Sequence, residues 1–322
     1  MTSRTVPPDA TLADLGEFGL IAELSARFAQ NDLVLIGPGD DAALVAVPDS
    51  RALVSTDLLV ESRHFRRDWA SARDIGRKAV AQNLSDINAM GGRATVLTVG
   101  LAAPADLPVS WVLELADGMA EEAALVGASV VGGDLTRADQ LVIAVTVLGS
   151  VEGEPVRRTG ARPGDVLAIA GRQGWAAAGL AVLGRGFRSP RVLVEAHRRP
   201  EPPYDAGAQA AAAGATSMID VSDGLLGDVG HLAEASGVSV DVHAGAFEVA
   251  EPLRAVGAAL GADPMQFILT GGDDHALVAT FPAGTPLPAG WHAIGEVEQA
   301  GEGPRVTVDG AEYEGPHGHT HF

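Results

Sequence analysis

Four short acidic turns are spread along the 322-residue chain, and their residue types suit hard metal cations. The turns are Gly39-Asp40-Asp41, Gly132-Gly133-Asp134, Asp220-Val221-Ser222-Asp223-Gly224 and Gly271-Gly272-Asp273-Asp274. A fifth acidic segment, Asn83-Leu84-Ser85-Asp86, has the pattern of a helix. Mg2+ is coordinated by oxygen atoms. It typically binds one or two carboxylates of a protein together with oxygens of a phosphate group. These acidic turns therefore predict a magnesium-dependent reaction on phosphate groups.

Several common phosphate-binding and catalytic motifs are absent from the sequence. It contains no GxxxxGK[ST] loop, no protein-kinase motif set, no Gly-x-Ser-x-Gly elbow and no His-Glu-x-x-His zinc motif. Lys78 is the only lysine, and it lies in a predicted helix. A polyphosphate beside several aspartates is repelled by about 1 kcal/mol per charge pair at 4 Å in water, and bridging cations reverse that sign. Phosphate binding would depend on metals, backbone amides and arginine.

Composition restricts the class of protein further. The formal net charge of −20 argues against a nucleic-acid-binding surface, which needs clustered Lys and Arg. The absence of cysteine excludes disulfides, zinc–thiolate sites and thiol nucleophiles. The N-terminus lacks the apolar segment of a signal peptide, and the longest apolar runs are too short to span a bilayer. We therefore expect a cytoplasmic protein with no nucleic-acid or membrane partner.

Short strands and helices are predicted to alternate in both halves, which indicates an α/β or α+β fold. A Gly- and Pro-rich stretch near 150–165 predicts two domains, 1–152 and 153–322. In the first, Thr11 is expected to cap a helix, and Ser110 is expected to cap another that runs to Val126. A helix over 75–87 is expected to end at Gly91-Gly92. Strands are predicted at Leu33–Ile36, Leu44–Val47, Ala52–Ser55, Thr95–Leu101, Ser129–Val131, Leu141–Val151, Val166–Ala170, Thr216–Val221, Val238–Val242, Ala276–Phe281 and Val306–Val308.

Further candidate residues lie near the predicted strand ends and the domain junction. Ser55-Thr56-Asp57 is predicted to end a strand, so that its hydroxyl and carboxylate oxygens can serve one cation. His64 follows shortly afterwards, and Arg158 stands at the predicted domain junction. An isolated histidine is more often structural, and a loop arginine is more often solvated.

Taken in order, these motifs resemble those of the thiamine-monophosphate kinase family, whose superfamily includes aminoimidazole-ribonucleotide synthetase and selenophosphate synthetase. The resemblance spans almost the whole chain, and the order and spacing of its pieces are specific. The pieces are residues 37–43, Ser55-Thr56-Asp57, 61–65, 83–91, 132–137, 158–165, 177–180, 219–225 and 271–274.

The resemblance implies a homodimer of two mixed α/β domains that transfers the γ-phosphoryl group of ATP directly to thiamine monophosphate. The N-terminal domain would bind metal and ATP and dimerise, and the C-terminal domain would cover the nucleotide and the substrate. No residue would act as a covalent nucleophile. The implied ligands of several Mg2+ ions are Asp40, Asp41, Ser55, Thr56, Asp57, Asp86, Asp134, Asp220 and Asp223. The implied ATP contacts are Gly133, Asp134, Arg158 and Ser222, and the implied substrate contacts are His64, Asp273 and His319.

The chain departs from the family pattern at three places. His275 follows Asp273-Asp274 where the family has Glu-Asp and then an aromatic residue. Gly174-Trp175-Ala176 replaces a usual Gly-Asp-Ser. Near the C-terminus, His319 stands where the family has an aromatic ring that stacks on thiamine.

Two other functions remain open at this point. An aminoimidazole-ribonucleotide synthetase-like enzyme would also consume ATP, whereas selenophosphate synthetase is disfavoured because the chain has no Cys and no early Lys. A non-catalytic protein that binds divalent cations would explain the acidic turns without ATP turnover.

Overall fold

The computed structural model describes residues 7, 10–38 and 42–319. The chain divides into two compact units, and the boundary is crossed more than once. The first unit comprises Met1–Ile87 and Arg93–Ser150, and the second comprises Asn88–Gly92 and Val151–Phe322. Within the described residues, no helix combines the length and the apolar character needed to cross a membrane.

The first unit is built on a four-stranded sheet with the order β3-β6-β4-β5. Strands β4 and β5 are parallel, and the β3–β6 and β4–β6 pairs are antiparallel. A separate antiparallel pair is formed by β1 and β2. The elements are α1 (Leu12–Leu15), α2 (Glu17–Ser25), β1 (Val34–Ile36), β2 (Leu44–Val45), β3 (Leu53–Val60), α3 (Ala72–Ala89), β4 (Arg93–Ala103), α4 (Val109–Leu125), β5 (Ser129–Arg137) and β6 (Val142–Ser150).

The predicted helix start at Thr11 is confirmed. The Thr11 hydroxyl accepts a hydrogen bond from the Asp14 amide, and the Asp14 carboxylate accepts one from the Thr11 amide at 2.9 Å. Such a capping box satisfies two donors that the first helical turn leaves without partners. The helical pattern is interrupted at Gly16, whose φ of +72° separates α1 from α2. The predicted end of α3 is also confirmed, because Gly91 takes a φ of +74° after Ala89.

Three local predictions in the first unit are wrong. Helix α4 begins at Val109 after Pro108, so Ser110 lies inside the helix instead of capping it. Strand β3 continues to Val60, so Ser55-Thr56-Asp57 lies in its interior and not at its end. Gly132-Gly133-Asp134 is part of β5 and is not a turn. In both strands, ladder hydrogen bonds to a neighbouring strand override the local turn preference of Gly and Asp.

Helices α3 and α4 cross through two glycines. A Cβ added at Gly118 would lie 2.1 Å from the Arg73 carbonyl oxygen, and one at Gly76 would lie 2.1 Å from the Leu115 carbonyl oxygen. The two backbones are therefore in direct contact at the crossing, which only glycine permits. This contact fixes α3, the helix that carries Asp86.

The second unit is built on a seven-stranded sheet with the order β13-β12-β9-β11-β7-β10-β8. One hydrophobic cluster includes Ile219, Leu226 and Val278, and another includes Met218, Leu277 and Phe281. Because neighbouring residues of β8 and β10 divide between the clusters, both faces of the sheet are covered. The elements are β7 (Val166–Ala170), α5 (Trp175–Gly184), α6 (Arg191–Arg198), α7 (Ala206–Ala212), β8 (Ser217–Asp220), α8 (Leu225–Ser236), β9 (Ser239–Val242), α9 (Glu251–Leu260), α10 (Pro264–Thr270), β10 (Leu277–Phe281), β11 (Trp291–Glu298), β12 (Val306–Val308) and β13 (Ala311–Glu312).

Candidate active site

In the first unit, Ser55, Asp57 and Asp86 form one candidate group. The Ser55 hydroxyl on β3 donates to Oδ2 of Asp86 on α3 at 2.5 Å. Asp57 lies two residues further along β3, so its side chain shares the face of Ser55. The three side chains are each half-buried. The strand and the helix thus bring together carboxylate and hydroxyl oxygens that the sequence separates by about thirty residues.

Thr56 points to the opposite face of the sheet. Its hydroxyl donates to the Val145 carbonyl oxygen at 2.9 Å and lies 2.6 Å from the Thr146 hydroxyl oxygen. Side chains alternate along a strand, so the hydroxyls of Ser55 and Thr56 do not converge.

Gly133 and Asp134 lie on β5, at the other edge of the same sheet. Asp134 belongs to a cross-strand row with Gly100, Ala144 and Leu58, whereas Asp57 belongs to the neighbouring row. Paired residues share a face, so Asp134 and Asp57 project to opposite faces. Three strand spacings, about 14 Å, separate their strands. Asp134 is therefore a separate candidate from the Ser55, Asp57 and Asp86 group.

Position 133 requires glycine for a geometric reason. A Cβ there would lie 1.9 Å from the Val99 carbonyl oxygen on the neighbouring strand. The absence of a side chain leaves the backbone of Gly133 exposed beside Asp134. An exposed backbone of this kind can approach a ligand closely.

A cavity of about 920 Å³ in the first unit adjoins Gly133 and Asp134. Its walls come mainly from apolar residues of α2, α4, β4 and β5, including Leu24, Leu115 and Val131. An apolar cavity with a few polar groups at one side is the usual form of a small-molecule site.

His64 is held by the turn that follows β3. Its Nδ1 accepts a hydrogen bond from the Val60 amide at 3.0 Å. A neutral imidazole that accepts at Nδ1 carries its hydrogen at Nε2. The turn therefore fixes both the orientation and the tautomer of this ring.

In the second unit, the acidic turns at 220–224 and 271–275 are bonded to each other through their backbones. The Asp273 amide donates to the Ser222 carbonyl at 2.9 Å, and the His275 amide donates to the Val221 carbonyl at 3.2 Å. Gly272 allows this approach, because a Cβ there would lie 2.0 Å from the Ser222 carbonyl oxygen. The structure thereby brings Ser222 and Asp223 of one predicted motif together with Asp273 of another.

The C-terminal segment joins this cluster. The His319 amide donates to the Asp223 carbonyl at 2.9 Å, and the Gly227 amide donates to the His317 carbonyl at 3.1 Å. His319 is exposed and lies directly beside the Asp223 turn.

Asp228 holds the 222–224 turn in place. Its Oδ2 accepts hydrogen bonds from the amides of Ser222, Asp223 and Gly224 at 3.0–3.1 Å. Burial, together with the nearby Asp220 and Asp223 carboxylates, raises the pKa of Asp228 to about 7, although hydrogen bonds from the Gly224 and Asp223 amides oppose the shift. The sequence analysis missed Asp228. The sequence feature that could have identified Asp228 is a carboxylate in the first turns of a helix, after a loop with several backbone amide donors.

Asp274 and His275 are two further residues that the sequence analysis did not assign. Asp274 Oδ1 accepts from the Ala176 amide at 3.0 Å, and so caps α5 from a distant turn. Burial raises the pKa of Asp274 to about 7. Nδ1 of His275 lies 3.1 Å from Oδ2 of Asp220. Asp273 stands next to them with a φ of +70°, and its Oδ2 lies 3.9 Å from Nδ1 of His197.

Arg158 lies at the far end of helix α8 from this cluster. Its carbonyl accepts from the Ser236 hydroxyl at 2.9 Å, and Ser236 is the last residue of α8. The cluster adjoins the first residue of the same helix, which at 12 residues is about 18 Å long. The backbone of Arg158 is therefore separated from Ser222 by the length of a helix.

The predicted ligands Asp40 and Asp41 lie outside the described residues. Across residues 10–38 and 42–319, no three or more His, Asp or Glu side chains form a group that could hold a metal ion. The donors instead occur in small sets of hard oxygens. Mg2+ is typically bound by one or two carboxylates, with the remaining positions filled by phosphate oxygens and water. The donor chemistry of these sets fits magnesium bound together with a phosphate ligand.

Comparison with known proteins places this architecture in a family. Family models described as AIR synthase related protein match residues 39–151 with their N-terminal domain and 162–303 with their C-terminal domain. The thiamine-monophosphate kinase of Mycobacterium tuberculosis (strain ATCC 25618 / H37Rv) is 51% identical over 95% of this chain and 91% of its own length. The chain belongs to the thiamine-monophosphate kinase family.

Other members of the family support this assignment. The thiamine-monophosphate kinase of Corynebacterium glutamicum is 42% identical over 93% of this chain and 91% of its own length. A solved structure of AaThiL complexed with AMPPCP and TMP has a TM-score of 0.80 and 33% identity. It covers 97% of this chain and 99% of the AaThiL chain. The predicted family and the predicted fold of two mixed α/β domains are thus confirmed.

Proposed function

We propose that this enzyme transfers the γ-phosphoryl group of ATP to the phosphate of thiamine monophosphate, forming thiamine diphosphate and ADP. The observation that carries the proposal is the 51% identity to a thiamine-monophosphate kinase over 95% of the chain. A phosphate oxygen of the substrate forms the new P–O bond, and the bond between the γ-phosphorus and its bridging oxygen breaks. The donor and acceptor are both anions, so their alignment and charge neutralisation dominate the barrier.

We assign the metal ligands to the oxygen sets found in each unit. Ser55, Asp57 and Asp86 form the set on the first unit, and Asp220 and Asp223 form the set on the second. Asp134 and Thr56, on the other face of the first sheet, and the two acids Asp40 and Asp41 complete the proposed ligands. Bound Mg2+ would neutralise charge on the transferring phosphoryl group.

The proposed ATP contacts are Gly133, Asp134, Arg158 and Ser222. The exposed backbone of Gly133 lies beside an apolar cavity large enough for a nucleobase. The Ser222 hydroxyl is presented by a turn whose amides are already bonded to Asp228, and both Ser222 and Arg158 are exposed.

The proposed contacts to thiamine monophosphate are His64, Asp273 and His319. The turn after β3 orients the His64 ring, and the joined acidic turns orient Asp273 and the backbone of His319. Transfer is direct and in line, and none of these residues is expected to carry a covalent phosphate.

We propose that residues 1–152 bind metal and ATP and dimerise, and that residues 153–322, which add Asp220 and Asp223 to the metal ligands, cover the nucleotide and the substrate. The four-stranded sheet supports dimerisation, because Val54 and Leu58 on edge strand β3 are 63% and 53% exposed. Large apolar side chains on one face of a sheet are typical of a surface that is covered in an assembly.

The function is tested by incubating the purified chain with MgATP and thiamine monophosphate and detecting thiamine diphosphate by mass. We expect product only when Mg2+ and both substrates are present. ATP turnover with the amidine substrate of a purine-pathway synthetase, without thiamine diphosphate, would indicate the synthetase alternative. Cation binding without any turnover would indicate a non-catalytic protein.

A further inference from the structure

Asp220 and His275 form a buried pair at the junction of the two acidic turns of the second unit. Each residue is 5% exposed, and the distance from His275 Nδ1 to Asp220 Oδ2 is 3.1 Å. We propose that His275 is a positioning residue that fixes the Asp220 carboxylate for Mg2+ binding. This inference rests on the proposed function, because it takes Asp220 as a metal ligand.

Both members of the pair are held by the backbone around them. Asp220 is the last residue of β8 and is paired with Leu277 of β10. The His275 amide donates to the Val221 carbonyl, and the Val221 amide donates to the Ala276 carbonyl at 2.8 Å. The imidazole and the carboxylate are therefore brought together by two chain segments whose register is set by hydrogen bonds.

The backbone of His275 gives a second indication. Its φ of +54° lies in the left-handed region, which residues other than glycine rarely adopt. Such a conformation costs about 1–3 kcal/mol and persists only where the surroundings enforce it. Here the enforced conformation directs the ring at Asp220.

The chemical consequence follows from the donor and acceptor inventory. An ionised carboxylate only accepts hydrogen bonds, so Nδ1 of His275 carries the hydrogen. An N–H donor on Oδ2 sets the plane of the carboxylate, and so sets the direction in which Oδ1 is presented. Groups that orient metal ligands in this way typically change metal affinity by about 10- to 100-fold when they are removed.

The same contact links the proposed metal ligands to the proposed substrate contacts. Asp273, a proposed substrate contact, is two residues before His275 in the same turn. The turn that carries Asp273 is therefore tied to the proposed metal ligand by a side-chain bond as well as by the backbone.

The test compares two substitutions of His275. One keeps the volume of the side chain, and the other keeps the hydrogen-bond donor. His275→Phe retains a buried aromatic ring and removes the N–H group. His275→Asn places an amide N–H near the position of Nδ1. For each protein, calorimetry measures the affinity for a non-hydrolysable ATP analogue with excess Mg2+ and again with a chelator. The readout is the ratio of the two affinities.

We expect His275→Phe to lower this magnesium-dependent ratio by about 10-fold or more, and His275→Asn to stay within about 3-fold of the unsubstituted protein. His243→Phe is the matched control, because His243 lies 3.4 Å from the Asp241 carboxylate at another strand end of the sheet. The His243→Phe variant should have the same affinity ratio as the unsubstituted protein. A ratio unchanged in His275→Phe, or reduced equally in both His275 variants, would overturn the inference.

Two further measurements distinguish failure of this inference from misfolding of a variant and from failure of the proposed function. Thermal unfolding without metal reports whether each variant is folded. If His275→Phe is destabilised, a His275→Asn ratio that differs from that of the unsubstituted protein by more than about 3-fold overturns the inference. Thiamine diphosphate formation by the unsubstituted protein tests the proposed function independently. An active parent protein with unchanged magnesium dependence in His275→Phe refutes only the role of His275.

Discussion

At the scale of single residues, the proposed chemistry depends on carboxylates held in different environments. Asp57 and Asp86 are half-buried beside a serine hydroxyl, whereas Asp228 and Asp274 are buried among backbone amides. Burial favours the neutral form of a carboxyl group, which explains why the pKa of Asp228 and of Asp274 is raised to about 7, although Arg172 opposes the shift at Asp274. The first pair suits metal binding, and the second pair serves structure.

Asp57→Asn should reduce turnover by about 100-fold or more and leave folding nearly unchanged, because it removes a metal-binding charge from a half-buried strand position. Initial rates at saturating MgATP and thiamine monophosphate measure the effect, and far-ultraviolet circular dichroism checks the fold. Asp139→Asn is the control, since Asp139 is exposed in the turn between β5 and β6. Activity of Asp57→Asn within a few-fold of the parent would exclude Asp57 as a metal ligand.

Asp274→Asn should change how stability depends on pH. The folded-state pKa is about 7 and the ordinary value is 3.8, so the native state retains a proton that the unfolded state releases. The contribution of Asp274 to stability is therefore complete below about pH 4, falls as pH rises to about 7, and stays constant above that. The limiting slope is about 1.4 kcal/mol per pH unit.

Denaturant unfolding at pH 4.5, 6 and 8 measures this effect. The variant should gain stability relative to the parent as the pH rises, because the asparagine amide stays neutral and its oxygen can still accept from Ala176. Asp309→Asn is the control, since exposed Asp309 accepts one amide bond from Ala244 in a comparable cap. Parallel curves for Asp274→Asn and the parent protein would contradict the prediction.

At the scale of elements, backbone contacts through glycine decide where the candidate residues stand. Gly118 and Gly76 bring α4 and α3 together, Gly133 brings β5 against β4, and Gly272 joins the two acidic turns. At each of these positions a methyl group would meet a carbonyl oxygen at 2.1 Å or less. The candidate groups are thus placed by helices, strands and turns that tolerate no side chain at their contacts.

Gly118→Ala should lower the free energy of unfolding by about 1–3 kcal/mol, because its methyl group would force α3 and α4 apart. It should also reduce activity, since α3 carries Asp86. Chemical denaturation and initial rates measure the two effects. Gly184→Ala, at the end of α5 with no atom within 4 Å of the added Cβ, should be neutral or slightly stabilising. An equally small effect at Gly118 would show that the helix crossing is not tight.

At the scale of the whole molecule, strand β3 exposes large apolar side chains although the chain has a formal net charge of −20. Val54 and Leu58 alternate with half-buried Ser55 and Asp57 on β3, an edge strand of the first sheet. An exposed apolar edge is a hazard for association unless a specific partner covers it. The proposed homodimer provides such cover.

Leu58→Asp should shift the protein from dimer to monomer, because it places a charge in the proposed apolar interface while leaving the buried core intact. Size-exclusion chromatography with light scattering measures the mass. Leu125→Asp is the control, since Leu125 is similarly exposed at the end of α4. A monomeric parent protein, or a Leu58→Asp variant that remains dimeric, would refute the proposed interface.

The sequence alone determined the family, the mixed α/β class and most of the candidate residues. Order and spacing of short motifs are properties of the chain, and capping signals such as Thr11 act within one helical turn. Local pattern also located Asp86 correctly on a helix. These features depend on neighbours in sequence, which is why they could be predicted.

Only the tertiary structure decided which candidates share a face, and which other residues support them. Local turn preference misplaced Ser55-Thr56-Asp57 and Gly132-Gly133-Asp134, because pairing with distant strands extended β3 and β5 through them. The bonds of Asp228, Asp274 and His275 likewise join segments brought together by folding. Sheet register sets the face to which each side chain points, and register is a relation between strands that no single segment contains.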